Sequence, residues 1–382
     1  MPPKKAPAAV AADSVYYDST DIDALGAIYN LIIGQRSNGK TFKMCRKILK
    51  AYIDDGLPSS YIRRWKEEIT GALIEILFNP HSEWLAEYTK NKYNGIRYYR
   101  KAWYLAHFET TQTGETVRTA CDKKPFCRCY AVSTAESTKG ADPGEQAYIV
   151  FDEFITRRFY INNEFVHYQN LLSSIIRDRP GVKVYMLANT VNKFCPYFAE
   201  MGIADVQDMQ PGTINFYSDE QHKRPSIAVE YCAISPNTKK VSKYFNFDNP
   251  QLNMITAGAW EIASYRHAPD DIDDYDILLP FFVLFAGKII QGDIYNYKDY
   301  PVIFYHVKTT PLQHPDKDII YCETVTDGNP LHMCSITGGR TKAQKLIEQL
   351  IKTNRTFYAD NNVGELINNW LKDAMTPKII KA

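Results

Sequence analysis

The pattern of apolar and polar positions divides the chain into an N-terminal region of alternating strands and helices and a smaller C-terminal region. Short apolar runs rich in β-branched and aromatic residues predict strands, and longer segments of helical period predict helices. The pattern predicts strands at 28–33, 60–64, 147–151 and 182–188, hairpins over 95–130, and helices at 40–55, 66–88 and 164–176. Strands that alternate with helices indicate an α/β domain with a largely parallel sheet.

Beyond residue 205 the pattern changes. Residues 206–276 contain few long apolar runs, one predicted helix at 249–264 and a final acidic stretch at 270–276, which together predict a connector. From residue 277 onward, β-rich stretches followed by helices at 341–353 and 362–374 predict a second, smaller α/β domain. The domain organisation expected from the sequence is a flexible arm at 1–14, a first domain at 15–205, the connector at 206–276 and the second domain at 277–382.

Composition excludes several classes of protein. Lys and Arg number 45 against 44 Asp and Glu, so the net charge of +1 offers no overall attraction for nucleic acid or membranes. Hydrophobic residues make up 45% and charged residues 23% of the chain, which excludes wholesale disorder. The longest apolar run, 278–286, is about half as long as a membrane-spanning helix and predicts a buried strand.

The cysteines favour a reducing compartment. The chain has eight cysteines and no CxxC pair, and only Cys121, Cys127 and Cys129 lie close together in sequence. A structural zinc site needs about four ligands, so we expect free thiols in a hairpin rather than a metal site. No signal peptide is evident, and we expect a cytosolic protein.

One motif carries specific chemistry. Residues 34–41, which we call the P-loop, match the pattern G-x-x-x-x-G-K-[ST] in full. They are Gly34, Gln35, Arg36, Ser37, Asn38, Gly39, Lys40 and Thr41. The motif follows a predicted strand and opens a predicted helix, so that backbone N–H groups and the helix N-terminus can surround phosphates. In such a loop Lys40 reaches the β- and γ-phosphates of ATP, and Thr41 ligates Mg²⁺.

An acidic residue at the end of another apolar strand should complete the site. Asp152 and Glu153 follow the predicted strand at 147–151, where Asp152 is expected to hold Mg²⁺ and Glu153 to polarise the attacking water. Two adjacent carboxylates are costly unless a cation is present, which favours a functional role over an exposed acidic turn. Lys40 and Asp152 are 112 residues apart (152 − 40), which leaves room for an additional strand between the two motif strands.

Other polar positions have two interpretations each. Asn189 follows the predicted strand at 182–188 and would face the γ-phosphate, although a turn cap would use the same residue. Arg177 and Arg179 close the predicted helix at 164–176. A guanidinium there can serve as an arginine finger for a neighbouring subunit, or it can complement the helix dipole.

Basic residues are dense around the P-loop. Between residues 36 and 66 nine basic residues face two acids, a local excess of +7 (9 − 2). The nine are Arg36, Lys40, Lys43, Arg46, Lys47, Lys50, Arg63, Arg64 and Lys66. Some suit the phosphates of ATP and others the phosphates of DNA, while a solvated helix face is an equal alternative for Lys43, Lys47 and Lys50.

The order of these motifs resembles that of a known family. Besides the P-loop with Arg36 at its third position, the chain contains Tyr61-Ile-Arg-Arg-Trp-Lys66, Val150-Phe-Asp-Glu-Phe154, Ile176-Arg-Asp-Arg179, Leu187-Ala-Asn189 and Pro196-Tyr-Phe198. The series resembles the DNA encapsidation proteins, or genome-packaging ATPases, of the small protein-primed tailed bacteriophages (Picovirinae type). The resemblance covers about residues 15–200 and is looser at Phe357-Tyr-Ala-Asp-Asn-Asn-Val363.

The resemblance implies an ATPase that forms a ring, usually a pentamer, on the portal of an empty prohead in the host cytoplasm. Such a ring uses ATP and Mg²⁺ to drive double-stranded DNA inward, and it is absent from membranes and from the mature virion. The implied site residues are Lys40 and Thr41 in Walker A, Asp152 and Glu153 in Walker B, Arg177 as the trans-acting finger, and Lys66 and Lys139 facing the neighbouring site. The use of a structural RNA stays open, because the arm at 1–14 is longer than the family's.

The family's second domain resembles an inactive ribonuclease-H-type nuclease. Such a nuclease holds two metals through Asp residues on its central strands. The candidate first hairpin, 280–290, contains no acid, and Asp293 and Asp360 are two scattered carboxylates. We therefore predict no nuclease activity.

Three other functions fit parts of the same pattern. A DNA-translocating ATPase of the conjugation or chromosome-pump type would work without a prohead. A nucleotide-binding assembly scaffold would bind ATP without turnover, and a small-molecule kinase would transfer phosphate without water. The presence of Glu153 argues against both the scaffold and the kinase.

Overall fold

The computed structural model describes residues 17–36, 38–138, 143–156, 160–161, 163–190, 195–219, 224–233, 264–323, 325 and 327–374, with the backbone of 4–6. The chain divides into two compact units, Met1–Glu261 and Ile262–Ala382. The predicted helix at 249–264 lies almost entirely outside the described residues, as do Ser37 and Lys139. No helix in the described part of the chain is long and apolar enough to cross a membrane.

The first unit is built on a mixed sheet of eleven described strands. Its strands are β1 (Lys4–Ala6), β2 (Tyr29–Gly34), β3 (Ser59–Arg63), β4 (Gly95–Tyr99), β5 (Ala102–Thr110), β6 (Thr116–Cys121), β7 (Cys127–Ala131), β8 (Tyr148–Asp152), β9 (Lys183–Asn189), β10 (Thr213–Asp219) and β11 (Arg224–Tyr231). Its helices are α1 (Thr20–Ala24), α2 (Lys40–Asp55), α3 (Gly71–Phe78), α4 (Ser82–Tyr88), α5 (Glu164–Ile176) and α6 (Pro196–Glu200).

The strands lie in the order β1-β10-β11-β2-β9-β8-β3-β7-β5-β4, with β6 paired to β5. The six neighbours from β11 to β7 are parallel to one another, which confirms the predicted α/β fold with a largely parallel sheet. Parallel strands bring their carboxyl ends to one edge of the sheet. Gly34 is therefore in register with Asn189, and Asp152 with Leu187, at the same edge.

Two hydrophobic cores cover the two faces of this sheet. Leu31 and Ile33 pack into one core with α5 and α6, and Ile32 between them packs into the other with α2, α3 and α4. Because both faces are covered, the central strands are apolar at nearly every position rather than at alternate ones. This explains why β2 and β8 are recognisable in the sequence as continuous apolar runs.

The additional strand between β2 and β8 is β9. It follows Asp152 in the chain and so does not come from the 112-residue interval between the two motifs. That interval instead supplies β3 and β7, on the other side of β8. The predicted extra strand is present, but the chain reaches it by a different route.

Three predicted elements differ from the structure. The helix predicted at 66–88 is divided into α3 and α4 around Pro80, which lacks an N–H and clashes with the preceding turn. Thr213–Asp219 and Arg224–Tyr231, which the sequence places in the connector, form β10 and β11 of the first sheet. In the arm, Lys4–Ala6 pairs with β10, and the other arm residues lie outside the described part.

The second unit has a six-stranded described sheet flanked by two helices. Its elements are β12 (Ile277–Phe285), β13 (Lys288–Tyr297), β14 (Tyr300–Val307), β15 (Ile320–Cys322), β16 (His332–Met333), β17 (Thr356–Tyr358), α7 (Lys342–Lys352) and α8 (Asn361–Ala374). The order is β16-β15-β12-β13-β14-β17, where β12, β13 and β14 form an antiparallel meander and β15 runs parallel to β12. The apolar run 278–286 is not buried throughout as predicted, since Leu278 is 58% exposed.

Close packing of β2 against the chain after β11 fixes the start of the P-loop. A Cβ on Gly34 would lie 2.8 Å from the Cβ of Cys232. The N–H of Cys232 donates to the carbonyl of Ile33 (2.8 Å), so the two backbones cannot separate without losing a hydrogen bond. Glycine at position 34 is therefore required by the fold as well as by the motif.

We expect Gly34→Ala to lower the free energy of unfolding by about 1–3 kcal/mol, because the added methyl group overlaps Cys232. Denaturant unfolding of the full chain measures this cost. In a Cys232→Gly background the same substitution should cost less, since the overlapping Cβ is gone. An equal cost in both backgrounds would show that the contact with Cys232 is not its cause.

Candidate nucleotide-binding site

The P-loop connects β2 to α2 at the carboxyl edge of the sheet. Gly39 precedes α2 with φ of 96°, a conformation that glycine adopts at little cost. The N–H of Tyr17 donates to the carbonyl of Asn38 (2.8 Å), which holds the N-terminal segment against the loop. The loop therefore presents the N-terminus of a sixteen-residue helix, with its partial positive charge, at this edge.

Lys40 is buried and its ammonium contacts neutral oxygens. Its Nζ lies 3.3 Å from the carbonyl oxygen of Gly34, 2.8 Å from that of Gln35, 3.1 Å from Asn38 Oδ1 and 3.4 Å from Asn189 Oδ1. Burial lowers the pKa of Lys40, because the charged form loses solvation. A phosphate would supply the anionic partner that a buried ammonium favours.

Asp152 lies at the same carboxyl edge of the sheet as the P-loop. Its carboxylate is 7% exposed and accepts hydrogen bonds from the hydroxyl of Tyr61 and from Arg63 Nη1 (3.2 Å). Burial raises the pKa of Asp152, and Arg63 and the Tyr61 hydroxyl oppose that rise. Tyr61 and Arg63 lie two residues apart on β3, so both point to the same side of the sheet.

Arg63 also holds Glu153. Its Nη2 lies 3.0 Å from Glu153 Oε2, and its Nε lies 3.3 Å from Glu68 Oε2. Burial by itself disfavours the charged guanidinium, but the neighbouring carboxylates, Asp152 above all, raise the pKa of Arg63. One guanidinium thus bridges the two carboxylates that the motif places side by side.

The backbone of Glu153 is in the left-handed region, with φ of 59°. For a residue other than glycine this conformation costs on the order of 1 kcal/mol, so other contacts must hold it. The N–H of Glu153 donates to Asp152 Oδ1 (3.1 Å), and its carbonyl accepts from Arg64 Nη1 (3.1 Å). These two bonds fix the direction in which the Glu153 side chain leaves the strand.

Arg64 is locked in turn by a buried carboxylate. Its Nε lies 3.0 and 2.9 Å from the two oxygens of Glu164, at the start of α5, and its Nη2 donates to the carbonyl of Phe154 (2.6 Å). Tyr197 donates to the same carboxylate (2.8 Å). Because both charged groups are buried, losing one partner would leave the other uncompensated.

The oxygen donors at this edge fit Mg²⁺. Thr41 Oγ1 lies 3.4 Å from Asp152 Oδ1, which brings a hydroxyl and a carboxylate together beside the P-loop. Arg63 faces three carboxylates, Asp152, Glu153 and Glu68, which leaves a local charge of −2 (−3 + 1). Hard oxygen donors with excess negative charge are the surroundings that Mg²⁺ prefers.

The structure brings some predicted residues to this edge and places others elsewhere. Asn189 meets the Lys40 ammonium, while Gln35 and Asn38 are buried within the loop and Arg36 is exposed. Lys66 is exposed just beyond β3. Arg177 and Arg179 lie after α5, at the amino end of β9 and so at the opposite edge of the sheet, where Arg179 Nη1 donates to the carbonyl of Gly144 (2.9 Å).

The lysines of α2 have partners within the chain. Lys43 Nζ lies 2.7 Å from Asp18, and Lys47 pairs with Asp23. Lys50 lies over the ring of Tyr88, 5.6 Å from its centre. Since Lys43 and Lys47 are ion-paired, the local excess of basic residues around the P-loop is smaller at the surface than in the sequence.

Tyr61, Arg63 and Arg64 belong to the site, although the sequence motifs predicted no individual role for them. The signal was available for Tyr61 and Arg63, because polar groups two residues apart on an apolar strand share one side of it. Glu164 and Cys232 carried no such signal, since their contacts join residues about 100 positions apart or more. Burial raises the pKa of the Cys232 thiol to about 12, and all eight cysteines are free.

The two acids of the second unit have separate contacts. Asp293 is buried on β13 and accepts from Gln291 Nε2 (2.8 Å), and its other oxygen lies 2.8 Å from His306 Nε2. Asp360 accepts from the N–H of Val363 (2.9 Å) at the start of α8. Among the described residues, no group of three or more His, Cys, Asp or Glu side chains is placed to hold a metal.

Comparison with known proteins places these features in context. No protein-family model matches the chain. It is 27% identical over 188 residues to the DNA packaging protein of Bacillus phage phi29, covering 48% of this chain and 49% of that one. It is 26% identical over 179 residues to that of Bacillus phage B103, covering 46% and 48%. The chain thus aligns with about half the length of the curated relatives it matches.

The structural similarity extends further along the chain. The protein in the bacteriophage Phi-29 viral genome packaging motor assembly matches with a TM-score of 0.55 and 17% identity, over 93% of this chain and 97% of that chain. The Phi-28 gp11 DNA packaging motor matches with a TM-score of 0.54 and 17% identity, over 95% and 98%. The chain therefore has the fold of phage genome packaging motors and, as the motif order predicts, is related in sequence to the DNA packaging proteins of phi29-type phages.

Proposed function

We propose that this chain is an ATPase that moves double-stranded viral DNA into a preformed prohead, with ATP hydrolysed between the subunits of a ring. The observation that carries the proposal is the convergence of the P-loop, Asp152 and Glu153 at one edge of the sheet. The similarity to phage DNA packaging proteins in sequence and fold supports DNA as the cargo. A pentameric ring, a portal partner and a location on the prohead within the infected host follow from the family resemblance.

Each residue at the edge has a distinct role in this proposal. The N–H groups of the loop and the Lys40 ammonium bind the phosphates of ATP. Thr41 and Asp152 would hold Mg²⁺, which when bound neutralises phosphate oxygens. Glu153 accepts a proton from the attacking water, and Asn189, beside Lys40, faces the γ-phosphate. Arg63 contacts Glu153 Oε2 and thereby orients its carboxylate.

Arg177 acts on a neighbouring subunit's ATP in this proposal. It precedes β9 by a short turn, whereas Asn189 ends that strand beside the P-loop. Seven residues of strand span about 23 Å at ~3.3 Å per residue, which is far more than an arginine side chain can reach. Arg177 therefore cannot serve its own P-loop, and a trans-acting role requires a second copy.

Steady-state ATP hydrolysis with and without long double-stranded DNA tests the proposal directly. We expect hydrolysis that DNA of any sequence stimulates, followed by prohead-dependent packaging. A pump of the conjugation or chromosome type would translocate without proheads, which separates it from a packaging motor. ATP binding without turnover, even with DNA and proheads, would support the assembly scaffold and contradict a motor.

Glu153→Gln should retain ATP binding and lose turnover by about 10²-fold or more, because the amide cannot accept the proton from water. Single-turnover hydrolysis and nucleotide binding measure the two effects separately. Glu68→Gln is the matched control, since Glu68 contacts the same guanidinium through Arg63 Nε. Comparable loss in both variants would point to disturbance of Arg63 rather than to loss of a base.

Mixtures of Arg177→Ala and Glu153→Gln chains test the shared site. Each variant alone should be inactive, but an interface that joins an intact Glu153 to a neighbour's intact Arg177 should recover part of the activity. The readout is DNA-stimulated hydrolysis as a function of mixing ratio. The idea of a trans-acting finger fails if every ratio gives only the sum of the separate activities.

A further inference from the structure

A second basic segment lies outside the nucleotide site. Residues 90–101, which we name the basic hairpin segment, contain five cationic residues, three tyrosines and no Asp or Glu. The cationic residues are Lys90, Lys92, Arg97, Arg100 and Lys101. The segment runs from the end of α4 through β4 to the two-residue turn that leads into β5. Its charge is therefore entirely positive, and none of its residues belongs to the candidate nucleotide-binding site.

The charges at the tip of this hairpin are exposed. Arg100 and Lys101 are exposed, and Tyr99 beside them is 42% exposed. None of the five cations forms an ion pair with a carboxylate in the described part of the chain. This contrasts with Lys43 and Lys47, which are paired with acids of the N-terminal segment.

Two guanidinium groups lie close to the ring of Tyr99. Arg97 lies 4.8 Å and Arg100 5.1 Å from the centre of the Tyr99 ring. Cation–π contacts of this kind are attractive and orient both side chains. Two cations held beside one ring repel each other, and an anion between or beside them would relieve that repulsion.

The two central residues of the turn are charged, and both have a left-handed backbone conformation. Arg100 and Lys101 have φ of 49° and 60°, and Tyr99 pairs with Ala102 across the turn. Both central positions of such a turn favour Asn and Gly, and other residues are less stable in this conformation. Two long cations at positions of positive φ are the kind of outlier from which a functional role can be inferred.

The tip faces the same edge of the sheet as the nucleotide site. β4 is antiparallel to β5, and β5 is antiparallel to β7, so β4 runs in the same direction as β3 and β8 and its turn points toward the edge where they end. The turn lies short of that edge, because the register through Ala102 and β7 places Tyr99 level with Ser60, near the start of β3. The N–H of Cys129 on β7 donates to the carbonyl of Lys101 (2.8 Å), which ties the turn to the sheet. Four strand spacings of about 4.8 Å separate β4 from β8, or roughly 19 Å.

From these features we infer that the tip of the basic hairpin, formed by Arg97, Tyr99, Arg100 and Lys101, contacts the phosphate backbone of double-stranded DNA. The inference rests on the proposed function and names a surface through which the motor touches its cargo. Arginine, lysine and tyrosine side chains are common donors to phosphates, and such contacts carry no sequence information. Binding here is accordingly independent of DNA sequence and sensitive to salt.

The variant Arg100→Asn/Lys101→Gly tests this inference without harm to the turn. It removes two charges and installs the pair that the turn geometry prefers, so the thermal unfolding midpoint should not fall. The matched control is Lys123→Gln/Lys124→Gln, which removes two exposed lysines from the loop before β7, at the opposite edge of the sheet. The probe is a fluorescein-labelled DNA duplex of random sequence, titrated with the full chain at several salt concentrations.

We expect the hairpin variant to bind the duplex on the order of tenfold more weakly at ~0.1 M salt, with the control unchanged. The slope of log affinity against log salt should shrink by about 0.9 for each lost phosphate contact, and so by about 1.8. Basal ATP hydrolysis should stay at the parent level, while more DNA is needed to stimulate it.

Three outcomes would overturn the inference. If the parent chain binds DNA and the hairpin variant keeps its affinity and salt slope, the inference fails while the proposed function stands. If the parent hydrolyses no ATP and binds no DNA, both fail together. If competition with double-stranded RNA shows that the variant lost only RNA binding, the hairpin belongs to an RNA contact rather than to the cargo.

Discussion

Burial of the Asp152 carboxylate at the end of β8 is the constraint on which the arrangement of the candidate site depends. A charged carboxylate that loses water must find hydrogen bonds or a cation, and β3 supplies both through Tyr61 and Arg63. Arg63 extends the arrangement to Glu153, and Arg64 fixes the Glu153 backbone from the other side. The position of β3 next to β8 is thus a requirement of the site as well as of the sheet.

The P-loop also buries a charged group that needs polar partners, in this case the positive ammonium of Lys40. Lys40 is buried among oxygens that are neutral, so its ammonium is solvated by the protein but has no direct ion pair in the described structure. The carboxylate cluster around Arg63 carries excess negative charge beside it. An anionic phosphate and a divalent cation would each complement one half, as the proposed binding of ATP with Mg²⁺ requires.

Positive charges near the P-loop and positive charges at the basic hairpin have different partners. Around the P-loop, Arg63, Arg64, Lys43 and Lys47 contact acids of their own chain, and these contacts hold β3, α1 and α2 in place. At the basic hairpin the cations instead gather around Tyr99 at the surface. A local excess of basic residues in sequence therefore does not by itself indicate where nucleic acid would bind.

The sequence by itself determined the elements and the motif chemistry. The bounds of α2 and α5 match their predictions, because an apolar stripe, a preceding glycine or asparagine and a following Gly or Arg define them locally. Strands β2, β8 and β9 were found within one residue, because parallel strands covered on both faces are continuous apolar runs. Short sequence patterns were enough to recognise the P-loop from Gly34 to Thr41 and the Asp152–Glu153 pair.

Only the tertiary structure decided which strands are neighbours and which charges meet. Packing between distant segments places β9 between β2 and β8 and brings β10 and β11 into the first sheet. The Arg63–Glu153 and Arg64–Glu164 pairs depend on it as well, since they join residues 90 and 100 positions apart. The periodicity of apolar residues shows which face of a helix or strand is buried, but not which other element packs against that face. The ion pairs of this site depend on which elements pack together, so they could not be predicted from the sequence.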